Sequence, residues 1–172
     1  MLKLLAKLLK VLNSDAEPGQ ISLALCLAMV AGLTPLFSLH NLLVLLLVLV
    51  LRANLSAFLL GLLFFTGVAY LLDPLFHALG LAVLTASGLQ GLWTSLYNIA
   101  LFRLENFNNS IVMGSLLFSL ILFVPLFVVA NLLIRKYRQY ILAWVEKSRI
   151  MQFFKASRFY TIYKSVTGGG MA

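Results

Sequence analysis

The stretch Gly32-Leu33-Thr34-Pro35-Leu36-Phe37-Ser38-Leu39-His40-Asn41 decides how this chain is read. It interrupts an otherwise apolar run from Gln20 to Leu51 with a helix-breaking proline and two polar side chains, His40 and Asn41. As continuous helix that run would be roughly 48 Å long, against a hydrocarbon core of about 30 Å, so one straight membrane span does not hold it. Thr34-Pro35 is the natural division, because proline removes a backbone donor while Thr-Pro supplies a cap and a good first helical residue. Before the break, Ala24, Ala28 and Gly32 recur every fourth residue, forming a small face that lets helices approach closely in lipid. Two helical pieces are expected to meet near Thr34, with end groups that need partners in protein or a wet cavity.

Composition extends this reading to the whole chain. It has 172 residues, 62% hydrophobic and 10% charged, with a mean hydropathy of +1.03. Charged residues reach about 25% in soluble domains, so an ordinary soluble domain is excluded. The fold class expected is all-α: a polytopic helical membrane protein with about four membrane-embedded segments, some of them Pro-broken or re-entrant. The net charge of +8 does not require nucleic acid. Eleven of the 13 basic residues lie at the ends, at Lys3, Lys7 and Lys10 and then at Arg135, Lys136, Arg138, Lys147, Arg149, Lys155, Arg158 and Lys164. Lys and Arg collect on cytoplasmic flanks, so both termini are expected inside, against anionic lipid. Cys26 is alone, which rules out an internal disulfide and makes it a packing residue.

In chain order, residues 1–13 read as an interfacial amphipathic helix, with the three lysines on one face and Leu2, Leu5, Leu9 and Leu12 on another. The spread lysines and the lack of a small-residue cleavage site argue against a signal peptide. Ser14 and Glu17 match a capping box that opens the helical membrane domain of residues 14–135. Residues 55–72 are long enough for one span, and Asp73-Pro74 repeats the cap-and-proline signal. Residues 75–101 read as one irregular span or a folded-back pair, with Ala78, Ala82 and Ala86 on a small face. The polar loop 103–110 ends in residues able to cap the next helix, and 111–134 is the strongest span, kinked at Pro125. Residues 136–167 read as a basic, aromatic cytoplasmic tail helix, and 168–172 as a flexible tail. Two topologies keep both ends inside. In one, four segments cross, the first long and kinked, with Arg52 and Arg103 outside. In the other, 20–51 and 75–101 are re-entrant hairpins and only 55–72 and 111–134 cross, with Arg52 inside.

Polar residues at membrane depth cost a few kcal/mol each and are functional candidates by default. His40, Asn41, Arg52 and Asn54 form the tentative ligand-binding or intramembrane polar site, with interhelical hydrogen bonding and snorkelling of Arg52 as the structural alternatives. Asp73 and His77 are spaced to share a helix face, yet Asp73 is better read as the cap of a helix opened by Pro74. Thr34, Pro35, Asp73, Pro74 and Pro125 are thus assigned capping or structural roles. Two histidines and one acid without a second spaced cluster do not make a metal site, and there is no nucleophile elbow or Ser-x-x-Lys. No enzyme activity, catalytic residue, metal or cofactor is expected.

Taken together, Gly32-Leu33-Thr34-Pro35, Leu39-His40-Asn41, Arg52-Ala53-Asn54, Gly61, Asp73-Pro74, Phe107-Asn108-Asn109 and Val112-Met113-Gly114 resemble the bacterial domain-of-unknown-function 2062 family, in its short stand-alone gammaproteobacterial branch. The resemblance spans roughly residues 17–115. It implies a multi-pass bacterial inner-membrane protein, brings no established activity, and suggests a larger envelope protein as partner. The broader family usually has Asn where this chain has Asp73. The functional expectation is a membrane subunit or anchor of an envelope complex, one that handles lipid. The partners expected are membrane lipids and that envelope protein, with a homo-oligomer open and no nucleic acid. The alternative is a small transporter or channel with its site at the broken helices.

Overall fold

Proline at the first helical position costs nothing, because a first turn leaves its amide protons unpaired in any case. In the computed structural model, which describes Val11 and residues 16–142, helix α1 accordingly runs Pro18–Leu33 with Glu17 at the cap position, not Ser14. Ser14, the proposed 1–13 helix apart from Val11, and the tail beyond residue 142 lie outside the described residues. All regular structure among the described residues is helical.

The break falls at the proline, but Thr34-Pro35 does not open the next helix as expected: Thr34 closes α1, and Ser38 stands at the cap position of the helix that follows. Thr34 is extended, Ser38 N–H donates to Pro35 O at 3.1 Å to close a turn, and α2 follows over Leu39–Val50. α2 ends in a Schellman arrangement: Ala53 N–H reaches Val48 O at 3.0 Å and Arg52 N–H reaches Leu49 O at 3.3 Å. Arg52 holds the left-handed position (φ 50°) that such ends usually give to glycine. Asn54 N–H then donates to Gln20 O at 3.4 Å, returning the chain to the start of α1. α1 and α2, about 24 and 18 Å long by their rise, therefore form a helical hairpin whose two ends lie together. A single kinked span would have separated them.

α3 covers Leu55–Thr85, with Asn54 Oδ1 accepting the Ala57 N–H at 2.9 Å. It passes straight through Asp73 and Pro74, which corrects the expected boundary there: Asp73 lies within a helix and caps none. Residues 75–85 belong to α3 and are followed by a 3₁₀ turn (Ser87–Leu89), α4 (Gln90–Tyr97) and α5 (Ala100–Leu104). The 75–101 segment is thus not one span: its first part continues α3, and α4 folds back against that end, with Trp93 Nε1–H donating to Val83 O at 3.2 Å. α6 runs Ser110–Lys136, continuous through Pro125 and into a π-helical stretch at Tyr137–Leu142. Its cap is Asn109, whose Oδ1 accepts from Ile111 N at 2.9 Å and Val112 N at 3.4 Å.

α1, α3 and α6 pack on one another, and α2 lies against α1. α1 is apolar on every side and takes the middle, burying Ile21, Ala24, Cys26, Leu27, Ala28, Val30 and Leu33. The Ala24-Ala28-Gly32 face meets α3 as expected: a Cβ at Gly32 would lie 2.8 Å from Phe65 Cβ, and one at Gly61 the same distance from Ala28 Cβ. A second and closer crossing joins α3 to α6, where a Cβ at Gly80 would sit 1.8 Å from Ser110 O and one at Gly114 1.9 Å from Phe76 O. The expected small face fails here, since Ala78 and Ala82 are exposed.

α3 and α6 are long and apolar enough to cross a membrane, and only 17% of the most apolar stretch of each is buried. Their remaining apolar surface faces outward, with Leu59, Leu63, Phe64 and Leu71 on α3 and Ile121, Val124 and Leu132 on α6. α2 does the same, burying Asn41, Val44 and Val48 while exposing Leu42, Leu43, Leu46 and Leu49. Outward apolar faces of this extent are what a lipid solvent leaves exposed and what water does not.

Candidate functional site

The turn between α1 and α2 brings the polar residues of the apolar run together at the hairpin tip. Thr34 Oγ1 lies 2.8 Å from Val30 O, the same carbonyl that accepts the Thr34 backbone N–H at 3.4 Å at the end of α1. Asn41 Nδ2 donates to Pro35 O at 3.0 Å and Leu36 O at 3.3 Å, which ties the turn to the first residues of α2. His40 sits between Thr34 and a residue from a distant segment. Its Nε2 is 2.8 Å from Thr34 Oγ1, its Nδ1 contacts Glu105 Oε1, and its backbone N–H donates to Glu105 Oε2 at 2.9 Å.

Thr34 Oγ1 has one hydroxyl proton and three neighbours within reach: Val30 O at 2.8 Å, His40 Nε2 at 2.8 Å and Asn41 Oδ1 at 3.4 Å. Glu105 meets His40 with both oxygens, Oε2 at the backbone N–H and Oε1 at the ring Nδ1, so the contact is bidentate. Each side chain is only 13% exposed. Low dielectric strengthens such a network, in which Thr34, His40, Asn41 and Glu105 each have a protein partner. The cluster therefore fastens the hairpin tip to the end of α5.

The order Thr34, His40, Glu105 is that of a hydrolytic triad. Its setting is different. Thr34 is 3% exposed, and its Oγ1 lies 2.8 Å from the Val30 carbonyl oxygen as well as 2.8 Å from the imidazole. No group of three or more His, Cys, Asp or Glu able to hold a metal occurs among the described residues.

The four tentative site residues do not converge. His40 and Asn41 are at the tip, whereas Arg52 and Asn54 lie at the other end of α2, about 18 Å along its axis. Asn54 caps α3, and Arg52 is exposed in the left-handed turn. Arg52 shares its end of the molecule with the start of α1 and the end of α6, where Arg138 Nη1 donates to Ala16 O at 2.8 Å. Asp73 makes no hydrogen bond among the described residues, and His77 Nδ1 lies 2.6 Å from Ser110 Oγ across the glycine crossing. Glu105 was absent from the sequence candidates; the signal available was its being the lone acid of the 103–110 loop, in a chain with five acids in all.

The model of a family described as an uncharacterized protein conserved in bacteria (DUF2062) matches residues 3–141. The chain belongs to the DUF2062 family. It is also similar to an uncharacterized protein of Treponema pallidum (strain Nichols), 28% identical over 141 residues that cover 82% of this chain and 87% of the relative. No solved structure matches. In this DUF2062 chain the matched region includes the whole hairpin, its Glu105 latch and both long helices.

Proposed function

We propose that this protein is a multi-pass protein of the bacterial inner membrane, serving as the membrane-embedded subunit or anchor of an envelope complex that handles lipid. In this reading α3 and α6 cross the bilayer, and α1 and α2 form a re-entrant hairpin entering from the cytoplasmic side. The basic residues Arg52, Arg135, Lys136 and Arg138 mark that side by the positive-inside rule. The observation that carries the subunit assignment is the closed polar cluster at the hairpin tip. His40, Thr34, Asn41 and Glu105 are all hydrogen-bonded to protein, which suits a fastening that holds the fold. No enzymatic step is assigned to it.

A small transporter is the second reading, favoured by the meeting of two half-helix ends inside an apolar body. The two are separated by purifying the tagged protein from native membranes in mild detergent and identifying bound proteins and lipids by mass spectrometry. A stoichiometric envelope protein, retained when His40 is replaced by Ala, supports the subunit. A solute flux in liposomes that is abolished by His40→Ala, without any partner, would reject it.

A further inference from the structure

A second feature lies away from the latch, at the far end of α3. An open cleft of about 330 Å³ is lined by Leu84 of α3, by Trp93, Thr94, Tyr97 and Asn98 of α4 and its end, and by Phe107 and Asn108 of the loop leading to α6. Such a volume falls in the range of small-molecule sites. Its aromatic wall is held in place: Trp93 Nε1–H donates to Val83 O at 3.2 Å, and the Trp93 and Phe107 ring centroids are 6.1 Å apart. By contrast, the Asn98 and Asn108 amides and the Tyr97 hydroxyl make no side-chain hydrogen bond among the described residues.

We propose that this open cleft binds the neutral, hydroxyl-rich headgroup of a membrane glycolipid. Amides both donate and accept, as sugar hydroxyls do, so two free amides and a phenol match a polyol and leave no group unpaired. The electron-rich ring faces of Trp93 and Phe107 suit the C–H face of a sugar ring. None of the lining residues is charged, so an anionic headgroup would lose its hydration without a counter-charge. The lipid source follows from position. Leu84 is about 45 Å along α3 from Asn54, past a hydrocarbon core of about 30 Å, at the end away from Arg52. Around it Leu81, Leu92, Ile99 and Leu101 are exposed and offer an apolar surface to acyl chains.

The proposal rests on the membrane reading above and is tested in a way that separates the two. Full-length protein carrying Trp144→Phe, so that Trp93 is the sole tryptophan, is reconstituted into phosphatidylcholine nanodiscs and titrated with monoglucosyl diacylglycerol. Failure to enter the nanodisc would overturn the membrane reading itself. With insertion, the expected result is a saturable change in Trp93 fluorescence whose midpoint moves about tenfold or more to weaker binding in Asn98→Ala/Asn108→Ala. Both asparagines are exposed, so this variant keeps its melting temperature. A response linear in lipid, or unchanged in the double variant, would overturn the site. An equal response to phosphatidylglycerol would overturn the neutral headgroup, and saturation by soluble methyl glucoside over the same range would overturn the lipid as source.

Discussion

Replacing Gly80 by Ala tests the closest packing in the molecule. The added methyl would lie 1.8 Å from the Ser110 carbonyl oxygen, where ordinary contact requires about 3.3 Å, so α3 and α6 must separate by about 1.5 Å. The obstacle is backbone, which no side-chain rotation removes. Phe76 is fully buried one turn away and meets the Phe118 ring at a tilt of 57°, centroids 5.4 Å apart; opening the crossing weakens those contacts and pulls Ser110 from His77. Overpacking usually costs about 1–3 kcal/mol, and this geometry puts the cost at about 3 kcal/mol or more, a fall of about 6–12 °C in melting temperature. Gly67→Ala in the same helix is the control. Nothing lies within 4 Å of its Cβ position, so the helix gains about 0.5–1 kcal/mol. Thermal melts of both variants in one detergent would refute the reasoning if they shifted alike, or if Gly80→Ala stayed within about 2 °C of the parent.

Removing one member of the latch, by His40→Ala or Glu105→Ala, leaves a mostly buried polar partner and costs about 2–4 kcal/mol. The double variant costs less than the sum, with a coupling of about 1–3 kcal/mol in a double-mutant cycle read by thermal melts. Asn54→Ala removes the cap of α3 and costs about 1 kcal/mol, whereas Asp73→Ala, in the helix interior without a hydrogen-bonded partner, leaves the melting temperature the same or higher. Arg52→Gly relieves the left-handed backbone at the end of α2 and stabilises by up to about 1 kcal/mol, measured in the same melts.

Local signals that agree with packing were legible in the sequence. Thr34-Pro35 broke the helix, the Ala24-Ala28-Gly32 face met α3, and the end of the 103–110 loop capped α6 through Asn109. Asp73-Pro74 carries the same local signal as Thr34-Pro35 and does the opposite. The packing of Phe76 and Gly80 against α6 requires helix on both sides of Pro74, and this tertiary demand outweighs a proline cost of about 3 kcal/mol. Within the site, His40 and Asn41 were visible because they are polar residues in an apolar run. The partner of His40 was not, since Glu105 lies 65 residues away and no periodicity links the two. The grouping with Arg52 and Asn54 failed for a similar reason: short spacing along a chain says little once a helix holds its ends about 18 Å apart.

The central claim is that α1 and α2 fold back, so that Arg52 emerges on the same side as the end of α6. Cys26 is the sole cysteine, and Cys26→Ser clears the background for single cysteines placed by Arg52→Cys, Lys136→Cys and Asn98→Cys. A membrane-impermeant maleimide applied to intact spheroplasts should label the cysteine at position 98 and leave those at 52 and 136 unlabelled until the cells are opened. Labelling at position 52 from outside, with 136 still protected, would mean that the first apolar run crosses the bilayer and would contradict the hairpin.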